Sequence, residues 1–149
     1  MGHGDLSRSE NRQLAVASAG LGPWRTAAGV GVLVGGAALG VDVVTGHWSL
    51  DILAGPVGLG LFFFFLVGTV GGKLRRDTAD RRLHRWASEH PWRSALPAAG
   101  ALWGLNALSM MLLGGSGLFA ALFGSLVPAG VLLLIAGVVG SVKKARKQD

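Results

Sequence analysis

The sequence predicts an all-α integral membrane protein with four transmembrane helices, arranged as two tandem two-helix hairpins of the same orientation. Three observations predict it. Half of the 149 residues are hydrophobic and only 15% are charged, against roughly a quarter charged in soluble domains. The apolar residues form four long blocks, 26–45, 52–72, 95–113 and 118–142, each close to the ~17–25 residues a helix needs to cross the hydrocarbon. Finally, PWRTA at 23–27 returns as PWRSA at 91–95.

Taken in order, residues 1–25 form a cytoplasmic N-terminal segment carrying Arg8, Arg12 and Arg25. A basic segment before an apolar block can be a cleavable signal, but this block exceeds the ~7–15 residues of a typical signal core, so it reads as a signal anchor. The opening MGHGDLS misses the myristoylation pattern, because Leu6 stands where Ser or Thr is needed.

The first hairpin spans 26–72, its helices 26–45 and 52–72 joined by GHWSLD. A basic cytoplasmic loop, 73–94, follows with Lys73, Arg75, Arg76, Arg81, Arg82, Arg85 and Arg93. The second hairpin spans 95–142, its helices 95–113 and 118–142 joined by GGSG, and a basic tail, 143–149, closes the chain. All 14 Lys and Arg residues lie in the first segment, the loop and the tail. Basic residues beside helix ends resist translocation, so both termini and the loop are predicted to be cytoplasmic. Composition and the absence of organelle signals make a bacterial plasma membrane the expected location, and the Ala, Gly and Arg bias suits a GC-rich genome.

The PWR recurrence is a displacement of 68 residues, and that same shift pairs Gly36 with Gly104, Gly46 with Gly114, Leu66 with Leu134 and Gly72 with Gly140. It also aligns Arg75 and Arg76 with Lys143 and Lys144, which predicts an internal duplication whose pseudo-twofold axis runs along the membrane normal. Before each hairpin an amphipathic lead-in is expected. In the second, Ala79, Leu83, Trp86 and His90 recur at helical spacing beneath a basic face, which predicts an interfacial helix on anionic headgroups. A similar helix before the first hairpin is the weaker extension of that pattern. Trp24, Arg25, Trp86, Trp92 and Arg93 are the expected interfacial anchors.

Lipid supplies no hydrophobic drive between helices, so small residues must let backbones approach. Gly31, Gly35, Gly36, Gly40, Gly68, Gly72, Gly100, Gly104 and Gly124 are the expected packing positions. Small residues on two faces of the first helix would serve two neighbours, or one neighbour and a second protomer, so a homodimer or another membrane subunit is the expected protein partner. The Phe62–Phe65 run surrounds the second helix with bulk and is expected to face lipid or another protomer. Pro128 should kink the fourth helix by removing the hydrogen bond to Gly124, whereas Pro56 and Pro97 are placed in first turns, where proline costs little.

Asp42 is the one charge inside a predicted span, about 5 Å from its outer end. Ser109 is expected at similar depth and Asn106 one turn deeper, so a bond from Asp42 to either would link the hairpins. A structural hydrogen bond or solvated helix end leads; a proton or cation site with Asn106 and Ser109 comes next. A metal site with His47 and Asp51 comes last, since no third ligand accompanies them. No metal or cofactor is therefore expected. The absence of cysteine removes thiol catalysis and thiolate metal sites.

No nucleotide or nucleophile motif survives inspection. GVGVLVG at 29–35 lacks GxGxxG spacing, GGKL at 71–74 lacks the P-loop hydroxyl, and GGSGL at 114–118 lacks the nucleophile-elbow glycine. The basic loop is explained by topology, so no nucleic acid partner is expected. The sequence therefore predicts a non-enzymatic accessory, scaffold or regulatory membrane subunit, with a small transporter or channel for protons, cations or small solutes as the alternative. An enzyme ranks third, because the cytoplasmic helix ends hold arginines rather than gathered acids and bases.

Overall fold

The computed structural model describes residues 8–19, 22–46, 50–74, 86–87 and 89–145. Its long elements are all helical: α1 (Arg8–Ala19), α2 (Trp24–Val44), α3 (Ala54–Leu74), α4 (Pro91–Leu112), α5 (Leu118–Gly124) and α6 (Leu126–Ala145). A 3-10 turn, Leu50–Leu53, leads into α3. Four stretches are long and apolar enough to cross a membrane: Trp24–Val44, Asp51–Gly72, Pro91–Leu112 and Leu118–Val142. The chain is a multi-pass membrane protein by this measure.

The predicted spans recur with shifted edges. α4 starts at Pro91, where proline's missing N–H is no loss because a first-turn amide has no intrahelical acceptor. Pro97 consequently lies inside α4 rather than in its first turn. The turns after the first and third spans each hold a glycine at positive φ, Gly46 at 85° and Gly115 at 59°, a conformation that costs other residues about 1 kcal/mol or more.

The helices form an uneven bundle. α3 packs against α2, α4 and α6, and α4 packs against α3, α5, α6 and the N-terminal α1. The core gathers Phe65 of α3, Ala98, Ala99 and Leu102 of α4, and Leu132 of α6. Small residues on α4 admit the large ring on α3. The phenylalanine run is thus part of the bundle seam rather than a lipid-facing collar: Phe65 is buried, and Phe62 and Phe64 pack partly against the core. With three neighbouring helices, α3 has too little free circumference to turn four successive rings outward.

α2 touches α3 along a glycine seam. A Cβ on Gly31 would lie 2.7 Å from the Gly60 carbonyl oxygen, and one on Gly60 would lie 2.9 Å from the Gly31 carbonyl oxygen. Gly35 approaches the same seam, its Cβ position 3.0 Å from the Pro56 carbonyl oxygen. Gly72 is buried. Gly36, Gly40, Gly100 and Gly104, expected to pack helices, approach no other helix among the described residues, since a Cβ on any of them would meet none of these within 4 Å.

Each PWR tryptophan covers a glycine on the second helix of its own hairpin. Trp24 lies over Gly68, and Trp92 lies over Gly137. Trp24 also meets Phe64 and Phe65, with ring centroids 5.2 and 6.0 Å away. A helix, α1, stands where the first lead-in was expected. Most of the second lead-in lies outside the described residues, but Trp86 and His90 stack 5.3 Å apart, with the His90 N–H donating to the Trp86 carbonyl at 3.0 Å.

Candidate functional site

The fourth span is broken, and its sequence says why. Pro128 has no N–H to offer the Gly124 carbonyl, so α5 ends at Gly124, Ser125 forms the joint and α6 begins at Leu126. Across the joint the Ala129 N–H reaches the Ser125 carbonyl only at 3.4 Å. From α4, the Trp103 indole N–H donates to the Leu122 carbonyl at 2.9 Å, which holds the last turn of α5 against its neighbour. A carbonyl left unmatched here would face hydrocarbon, where it costs several kcal/mol, of order the ~2–7 for an unpaired amide.

Beside that joint sits a small polar cluster. Asn106 of α4 is 7% exposed and Ser125 fully buried. The Asn106 amide donates to Ser125 Oγ at 3.1 Å, while the Ser125 hydroxyl donates to Met110 Sδ at 3.7 Å. A hydroxyl has one proton, so with that proton on sulfur its oxygen must accept. This orients the asparagine with Nδ2 toward Ser125 and leaves Oδ1 on the other side. Nδ2 also comes within 4.0 Å of Met110 Sδ. Met110 in turn lies against Gly124, whose Cβ would be 3.3 Å from its Cε.

Asn106 Oδ1 points toward α3. A Cβ on Gly58 would sit 2.8 Å from it. No donor among the described residues meets this oxygen, which lines an open cleft of about 510 Å³ between α3, α4 and the broken fourth span. Gly58 and Phe62 form one wall, and Val127, Pro128 and Val131 the other, with Met110 alongside Asn106. Charged side chains are absent from this lining among the described residues. The arrangement can accept one hydrogen bond within an apolar trough.

The expected ion-site residues are only partly gathered. Asn106 and Ser109 adjoin on α4, but Ser109 Oγ donates to the Asn106 backbone carbonyl at 2.9 Å and so turns back on its own helix. The bond expected from Asp42 to Asn106 or Ser109 is not made: both have other partners, and α2 packs on α3 and the 3-10 turn. Asp42 is half-buried, and its main-chain carbonyl accepts from Thr45 Oγ1 at 3.0 Å. Asp51 is exposed, and His47 lies outside the described residues.

Among the expected anchors, Arg25, Trp92 and Arg93 are exposed, but Trp24 is half-buried on Gly68 and Trp86 is enclosed by protein. The burial of Trp86 leaves its indole N–H without a partner among the described residues. Trp24 covers Gly68, and Met110 lies against Gly124.

Sequence reasoning passed over Gly58, Gly60, Trp103 and Ser125 as site or packing residues. Depth could have found Ser125, since it lies about as far from the start of the fourth span as Asn106 lies from the end of the third. The chain matches no family model, and comparison with curated proteins and with solved structures finds no similar chain.

Proposed function

We propose that this chain is a non-enzymatic membrane subunit, an accessory, scaffold or regulatory protein of a bacterial plasma membrane that acts through contacts of its helices. The observation that carries this reading is the outer face of α2. Gly29, Gly36 and Gly40 share one side of the helix, opposite the Gly31 and Gly35 seam, and a Cβ on any of them would meet nothing within 4 Å among the described residues. Val32 and Leu33 on that side are 74% and 73% exposed. A glycine row of this kind lets another helix approach closely in lipid, where packing rather than hydrophobicity drives association.

The remaining parts of the proposal follow the same logic. The duplication is supported by the two tryptophans, 68 residues apart, each lying on a glycine of the second helix of its own hairpin: Gly68, and Gly137 one residue beyond the position that the same shift gives. We place both termini and the 73–94 loop in the cytoplasm, with the basic residues against anionic headgroups. A reporter fused after Asp149 should then be cytoplasmic and a tag in the 114–117 turn external.

The deciding experiment is the mass and composition of the intact particle, purified in mild detergent from its native host, for the natural chain and for the Gly36→Leu/Gly40→Leu double variant. A foreign subunit or a second copy that is lost from the variant is the expected result. A monomer in both would overturn the reading.

A further inference from the structure

We propose that the cleft beside Asn106 is a binding site for a neutral long-chain alcohol, its hydroxyl donating to Asn106 Oδ1 and its chain lying between α3 and α6. This goes beyond the contact function of α2 and uses a different part of the molecule. The argument starts from an unfilled valence. Both polar partners of the Asn106 amide lie on the Ser125 and Met110 side, and its oxygen, on a side chain only 7% exposed, is left without a donor among the described residues. In a membrane interior such an acceptor needs a donor from a neighbour or ligand.

The surroundings narrow the donor. Glycine at 58 keeps the approach to Oδ1 open, since a Cβ there would crowd the oxygen at 2.8 Å. The walls carry no charge, so a carboxylate or phosphate would be desolvated without compensation and would set acceptor against acceptor. Depth narrows it further. Asn106 lies about 9 Å along α4 from the helix end at Leu112, too deep for a large headgroup but reachable by a lone hydroxyl. At about 510 Å³ the cleft falls within the ~300–1,000 Å³ of small-molecule sites.

The test uses the full chain in phosphatidylcholine nanodiscs with a long-chain alcohol carrying a diazirine on its chain. Photolabelling should concentrate on residues 54–62 and 124–131. Oleyl alcohol should displace the label about 5- to 10-fold more effectively than oleyl methyl ether, which has the same chain but no donor. Equal displacement by the two, or label spread evenly over the outer faces of α2 and α4, would overturn the proposal. Gly58→Ala and Asn106→Leu should each bring the two competitors to parity. A preference that persists in a folded variant would also overturn it, and the natural chain decides alone if neither variant folds.

Discussion

α2 and α4 both carry the same Trp-Arg pair at their starts, yet 11% of the residues in the apolar 18-residue stretch of the first span are buried, against 39% in that of the third. The more enclosed helix is also the less apolar one, with a mean hydropathy of 1.3 against 1.9. α4 carries Ser94, Asn106 and Ser109, all buried, and it sits where other helices can shield these groups and answer one of them. Lipid cannot hydrogen-bond a side chain, so the helix bearing polar groups is drawn inward. Beyond its Trp-Arg-Thr opening, α2 has Asp42 near one end and is otherwise built of glycine and small or branched apolar residues, which gain nothing from enclosure that lipid does not already supply. The pair teaches that position in this bundle follows polarity and side-chain size rather than hydropathy.

The contrast can be broken most severely at the seam that holds α2. Gly31→Leu forces a branched side chain onto the Gly60 backbone, which cannot yield as a flexible side chain would. The α2–α3 contact should weaken by about 3 kcal/mol, at the upper end for overpacking. Denaturant titration in mixed micelles would measure it, and a loss below about 1 kcal/mol would mean that α2 is held by something else.

A smaller effect is expected inside the second hairpin. In a double-mutant cycle of Asn106→Ala and Ser125→Ala, the coupling should be near 0.6 kcal/mol and no more than about 1.7, the range for hydrogen bonds between membrane helices. Zero coupling would remove the polar cluster from the forces that hold the broken span to α4.

The smallest effect sharpens the comparison from the other side. Gly104→Ala faces open space and adds helix propensity, so monomer stability should change by no more than about 1 kcal/mol and in the stabilising direction. A loss of more than 1 kcal/mol in the monomer would show that the open face of α4 is already occupied.

Much of the site was within reach of the sequence, though not its connections. Asn106 and Ser109 stand out as polar residues in an apolar block, and Pro128 announces the break beside which the buried Ser125 sits. What no pattern reveals is which neighbour each polar group meets. Asp42 and Ser109 share a predicted depth, but depth gives one coordinate out of three. α2 lies on α3, and Ser109 spends its proton on its own helix. The Phe62–Phe65 run misleads for a related reason: four rings surround a helix whatever its neighbours, so their exposure depends on how many helices close around α3.

By itself the sequence determined the number of spans, their lengths, the two turns and the kink, because each follows from local causes: the thickness of hydrocarbon, the freedom of glycine and the missing N–H of proline. Only the tertiary structure decided which glycines pack and which stand open, and which acceptor remains unmatched. The helices of this chain carry small residues on more than one face, so many packings suit the pattern equally well. The choice among them falls to non-local contacts such as Gly31 on Gly60 and Asn106 on Ser125.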